Sequence, residues 1–248
     1  MLVPVAEVPL IAFTEIVLGH GGLPACGHCG AQSRTAMRSA AHVVEDLRLV
    51  ARSWSQGPGP NVVLGGAEPF LHPELPSIVT AARASGVRRL MITSGGEALA
   101  VGQNAMGSLD AGVRLLELVL LAGAPAPHDD LLGRQGAYEA ALAGARAFLS
   151  AAALRGYDIA LFGRVPVCRH NTAHVAGAVA ALGALGASAV VVDMSTAADV
   201  APAAGWFDSV ADTGMVNRTW AWFSGSDPGA SVSAPHLAAP WSLTAVAT

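Results

Sequence analysis

The chain contains no lysine; all 14 of its basic residues are arginine. Without a lysine amine there is no Schiff-base nucleophile and no phosphate-holding lysine of the P-loop kind, so both chemistries are excluded. Charge is scarce, at 13% of residues with a net −4, and leaves no basic footprint for nucleic acid. Cysteine is scarce as well. Cys26, Cys29 and Cys168 are too few for a disulfide framework. Two thiols at CxxC spacing are expected of a metal or redox site in a reducing compartment, which points to the cytoplasm. The first residues lack a positive segment and carry Glu7, so no secretory signal is expected. Val175 to Val192 is uncharged, but Gly183 and Gly186 interrupt it and it ends in a β-branched run. It reads as buried helix, turn and core strand rather than a membrane span.

What is present is an apolar chain of 248 residues, 52% hydrophobic, enough for a large core. Short apolar runs alternate with alanine-rich helical stretches. Strands are expected at Val8–Leu18, Asn61–Leu64, Arg89–Thr93, Val113–Leu121, Asp158–Val167 and Ala187–Asp193. Helices are expected at Thr35–Trp54, Glu74–Ser85 with Gly86 as its stop, Glu97–Gly107, Tyr138–Leu154 and Thr172–Leu185. Strands joined in series by helices must run parallel. The expected fold is therefore α/β, a partial (β/α)6 TIM-like barrel over residues 1–194. Residues 195–248 read as an extension that packs on the barrel or on a partner. It carries Trp206, Trp220, Trp222 and Trp241, more in keeping with core than with a ligand platform.

The most telling stretch is Gly22-Leu23-Pro24-Ala25-Cys26-Gly27-His28-Cys29-Gly30-Ala31. Two thiolates two residues apart reach one metal or one cluster edge. A zinc site, a redox pair and an iron–sulfur loop are all open at this point. Downstream, Gly65-Gly66-Ala67-Glu68-Pro69 follows the second strand and runs into Phe70-Leu71-His72-Pro73-Glu74. Thr93-Ser94-Gly95 ends the third strand, His128-Asp129 through Tyr138 follows the fourth, and Val165 to Asn171 ends the fifth.

In this order the motifs resemble the radical S-adenosylmethionine (SAM) superfamily. The resemblance implies a [4Fe–4S] cluster, with Cys26 and Cys29 as ligands, and SAM bound at its open iron. Radical chemistry on a peptide or small metabolite would follow. It implies that Gly66, Ala67 and Glu68 approach the SAM amino group, with Thr93, Ser94 and Gly95 beside them. His28 would lie near adenine and Asn171 near the nucleoside. Simpler roles stand beside these. Glu68 could open a helix, Thr93-Ser94-Gly95 could be a turn, Asn171 could be an N-cap, and His72 reads as structural.

The chain also departs from the superfamily's pattern. Gly22 stands where a first cluster cysteine is usual, so His20 or Cys168 is the candidate third ligand. Ala67 replaces a glycine, Ser94 an asparagine, and Leu120 and Ala122 fall where polar residues often face the ribose. These departures keep open a second reading: a catalytically inactive relative that binds a substrate, a partner protein or an active homologue.

Overall fold

A computed structural model describes residues 13–19, 37–55, 57–100, 103–194, 200, 203–216 and 220–224. His20, Gly22, Cys26, His28, Cys29 and Trp241 lie outside the described residues.

Seven parallel strands stand side by side in chain order: β1 (Thr14–Val17), β2 (Asn61–Gly65), β3 (Arg89–Ser94), β4 (Leu115–Val119), β5 (Ala160–Pro166), β6 (Ala189–Asp193) and β7 (Trp220–Ser224). Helices return the chain between them: α1 (Ala40–Ser53), α2 (Leu75–Ala84), α3 (Gln103–Ala111), α4 (Pro125–Leu132), α5 (Ala137–Leu154), α6 (Val175–Ala184) and α7 (Trp206–Val216). Among the described residues β7 does not pair back onto β1, so the sheet is open and the barrel partial. Such sequential parallel order is the product of right-handed βαβ crossovers.

Strand residues alternate between two environments. Ile16, Val62, Leu64, Leu90, Ile92, Leu116, Leu118, Val190 and Val192 join the main core under the helices. The alternate positions Phe13, Val63, Met91 and Val191 form a smaller apolar cluster with Leu115 and Phe162 on the inner face. Burial on both faces explains why these strands read as continuous apolar runs.

The α/β partial barrel stands as expected from the sequence, with four local corrections. The sheet runs on past Asp193, because α7 and β7 add a seventh unit within the segment read as an extension. Its weak apolar pattern hid a helix whose Trp206 donates from Nε1 to the Thr172 carbonyl at 2.8 Å. The helix expected over Glu97–Gly107 divides into a 3₁₀ turn, Glu97–Leu99, and α3. The segment after β4 holds α4, for which no helix was expected. It begins at Pro125, where the missing N–H costs nothing in a first turn. The helix expected from Thr35 begins at Ala40, because Ser39 caps it by accepting from the His42 N–H. Gly86 ends α2 at φ 91°, as its position in the sequence implied. Among the described residues no helix is long and apolar enough to cross a membrane.

Candidate functional site

The loops that follow the strands form the face where β/α barrels place their sites. At the ends of β2 and β3 the central group is Glu68, 5% exposed. Its Oε1 accepts from the Phe70 N–H at 3.2 Å, so Glu68 does open a short 3₁₀ turn, Pro69–Leu71. Its Oε2 accepts from the Gly95 N–H at 2.8 Å, and the Ser94 hydroxyl lies 3.0 and 3.1 Å from the two oxygens. Ser94 Oγ in turn accepts from the Gly96 N–H at 2.9 Å. A carboxylate offers about four lone-pair positions, and here three donors address them. Burial pushes the Glu68 carboxyl up to about 7 despite the hydrogen bonds of Gly95, Phe70 and Ser94, and no cationic side chain among the described residues offsets it.

The turn that delivers Glu68 depends on Gly66. Its φ is 82°, and a Cβ there would meet Val17 Cγ1 at 2.4 Å and the Gly19 carbonyl at 2.5 Å. Ala67 is buried, its N–H on the Gly65 carbonyl at 3.1 Å. His72 is structural, as expected: its Nε2 meets the Arg38 carbonyl at 2.9 Å and its Nδ1 accepts from the Glu74 N–H at 3.1 Å.

The ends of β4 and β5 are built differently. Asn171 is fully buried. Its Oδ1 accepts from the Cys168 N–H at 2.8 Å, and its Nδ2 donates to the carbonyls of Leu121 and Pro166 at 3.0 and 2.8 Å. It ties one strand end to the next, and its side chain does not cap the turn that follows, correcting the N-cap alternative. Cys168 packs with Leu121, Ala122 and Leu131 in an apolar cluster. Leu120 belongs to the main core. His128 is buried, accepts on Nδ1 from the Leu121 N–H at 3.3 Å, and stacks edge-on against Tyr138. Burial drives its pKa down to about 4, so the ring is neutral, and its buried Nε2 has no partner among the described residues. Asp129 accepts from the N–H groups of Gly136 and Tyr138 at the start of α5.

Deeper inside lies a set of residues that the sequence reading missed. On the inner face, above the apolar floor, a polar belt crosses the sheet. Gly65 leaves room for Glu15, since a Cβ there would meet Glu15 Oε1 at 2.7 Å. Thr93 donates to Glu117 Oε2 at 2.7 Å. Arg164 donates from Nε to the same oxygen at 3.0 Å and from Nη1 to Asp193 Oδ2 at 3.3 Å. Burial raises the Glu15 carboxyl, against the pull of Arg164. The sequence signal was there to be read: lone charged residues at Glu15, Glu117 and Arg164 inside strands otherwise apolar.

Of the expected site residues, the structure brings Gly66, Ala67, Glu68, Ser94 and Gly95 together, with the Thr93 hydroxyl turned inward to Glu117. Asn171 stands apart at β5. Cys26, Cys29 and His28 lie outside the described residues, and no group of three metal-ligating side chains occurs among those described.

No protein-family model matches the chain. Among curated proteins it is similar to an AdoMet-dependent heme synthase of Oleidesulfovibrio alaskensis, 25% identical over 120 residues, covering 48% of this chain and 30% of that protein. It is also similar to a PqqA peptide cyclase of Xanthomonas campestris, 34% identical over 116 residues, covering 46% of this chain and 28% of that protein. The matched stretch thus spans less than a third of either relative. Among solved structures it shares its fold with Streptococcus suis SuiB, at a TM-score of 0.61 and 11% identity over 87% of this chain and 50% of that one. Methylornithine synthase (PylB) follows at 0.57 and 9%, over 85% of this chain and 64% of that one. SuiB has also been solved bound to its precursor peptide SuiA and to SAM. Relatives and fold neighbours together point to the radical SAM superfamily.

Proposed function

We propose that the chain is a radical SAM-type barrel that holds SAM by its amino group at Glu68 and acts on a peptide or small metabolite. The observation that carries this reading is the state of Glu68: a buried carboxyl with an acceptor position left over and no cationic partner among the described residues. A ligand ammonium is the group that such a site lacks, and its charge would draw the carboxyl back into the ionised form. The residues therefore fit the amino end of SAM, with Gly95 and Ser94 orienting the carboxylate and Gly66 permitting close approach. When bound, SAM and a [4Fe–4S] cluster supply one-electron chemistry that starts a radical reaction, while the barrel orients and excludes water. Cys26 and Cys29 would hold the cluster. The peptide alternative for the substrate draws on the PqqA peptide cyclase and on SuiB with its precursor peptide. The CxxC thiols favour a reducing cytoplasm.

The second reading, an inactive relative serving a partner or substrate, is favoured by Gly22 and by the apolar β4–β5 end, where Leu120 and Ala122 are fully buried. One set of measurements separates the two. The SAM-type enzyme is expected to bind SAM by calorimetry, take up about four irons on anaerobic reconstitution and form 5′-deoxyadenosine with a reductant. Glu68→Gln is expected to weaken SAM binding at least tenfold. SAM affinity in the wild type is expected to rise roughly tenfold from pH 6 to pH 7.5, as the Glu68 carboxyl ionises. Iron uptake only in Gly22→Cys would favour lost activity. No SAM binding at any pH would end the first reading.

A further inference from the structure

The inner belt is unusual in what it leaves unmet. Barrel interiors are usually filled by layers of branched apolar side chains, and Phe13, Val63, Met91 and Val191 form such a floor here. Directly above it the chain places three carboxylates, Glu15, Glu117 and Asp193, with Arg164 as the basic group they share. Glu117 is 1% exposed; its Oε2 takes bonds from Thr93 and Arg164, but its Oε1 is buried with no partner among the described residues. A buried carboxylate oxygen without a donor is costly and calls for a group to meet it. The belt is reachable: the side chains of Arg164 and Asp193 are 16% and 14% exposed.

We propose that this belt is the seat for a primary ammonium group of the substrate, a lysine-type side chain or a terminal amine, with Glu117 Oε1 as its buried acceptor. The inference rests on the reading of the barrel as a radical SAM scaffold and names the substrate class for it. The chemistry selects the group. An ammonium is a compact charge with three donors, suited to one free oxygen of Glu117 and the Glu15 carboxyl. A guanidinium would need a flat two-oxygen face, and the Glu117 oxygen that could complete one is already held by Thr93 and Arg164. A metal ion is disfavoured because no three ligating side chains converge among the described residues. The raised Glu15 carboxyl agrees with this assignment, since burial beside two other carboxylates is relieved when a cation docks.

The probe is the tripeptide Ala-Lys-Ala, compared with its Nε-acetyl form, by calorimetry or saturation-transfer NMR on the full chain. The free lysine peptide, N-terminally acetylated in both cases, is expected to bind at least tenfold more tightly. Glu117→Gln is expected to abolish most of that preference without changing affinity for the acetylated peptide. Glu15→Gln, on a more exposed strand, is expected to reduce it severalfold and serves if Glu117→Gln fails to fold. Equal affinities, no binding of either peptide, or a preference that survives both substitutions would overturn the proposal; equal affinities would leave the belt as buried filler, its free oxygen met by water. SAM titration of the same protein keeps the two ideas apart. SAM binding without lysine preference refutes the seat alone. Lysine preference without SAM binding refutes the scaffold reading, and with it the assignment of the seat to a substrate of radical chemistry.

Discussion

The two halves of the barrel mouth solve opposite problems with buried polar groups. At the ends of β2 and β3, Glu68 is a carboxyl surrounded by neutral donors, with no cation beside it among the described residues. At the ends of β4 and β5, Asn171 has both ends of its amide bonded within the chain, and the neighbouring Cys168, Ala122 and Leu131 are apolar. The first half holds a carboxyl that burial pushes up to about 7. The second is closed upon itself, and His128 Nε2, without a partner among the described residues, belongs to a ring kept neutral by burial. On the proposed reading, the half assigned to the SAM amino group holds a buried carboxyl and the half assigned to the ribose is apolar.

The comparison breaks most easily at Asn171. Asn171→Ala strands the Cys168 N–H and the carbonyls of Leu121 and Pro166 in the interior, and is expected to cost about 3–5 kcal/mol. Urea denaturation measures it; a loss below about 1 kcal/mol would mean that this half is not held by the amide.

Next comes Glu68, through pH. Its folded value, about 7, lies above the ordinary 4.5, so the stability tied to its neutral form is complete below pH 4.5 and is lost as pH rises through 7. The loss at pH 9 is expected to reach about 3 kcal/mol. Glu68→Gln is expected to remove that slope, and a wild type and variant with parallel stability curves would contradict the buried-carboxyl picture.

His128 tilts the curve the other way by about the same amount. Its folded value, about 4, lies below 6.5, so its contribution is complete above pH 6.5 and is lost as pH falls through 4. Between pH 4.5 and 6.5 the two groups offset each other in the wild type. His128→Gln should therefore expose the Glu68 slope, and Glu68→Gln the His128 slope, in denaturation series across that window. If the single variants show no opposite slopes, the two halves are electrostatically alike and the contrast fails.

The smallest effect is expected from Ser94→Ala, which removes one donor to Glu68 and the acceptor for the Gly96 N–H, at about 1–2 kcal/mol. It sharpens the comparison through the ligand: SAM affinity is expected to fall less than in Glu68→Gln, because the Gly95 N–H still orients the carboxylate.

Much of the architecture was legible before any coordinates. Strands such as Asn61–Leu64 and Arg89–Thr93 are short, β-branched or apolar, and bounded by glycine or proline, so local pattern and final structure agree. The grouping of Glu68, Ser94 and Gly95 was legible too, because all three stand just after the ends of neighbouring strands or at them. What escaped was weak or non-local. The helix α4 begins with two prolines in four residues and has almost no apolar stripe. The seventh unit lies in a stretch whose pattern is diluted by small residues.

By itself the sequence determined the α/β class, the parallel order of strands and the glycine at 66, because alternation, crossover length and backbone sterics are local facts. Only the tertiary structure decided that Thr93 turns inward to Glu117 and that Arg164 reaches both Glu117 and Asp193. Only it decided that Asn171 serves the strand ends. Each of these depends on which strands become neighbours and on how far burial removes a charge from water, and neither can be read from positions along a chain.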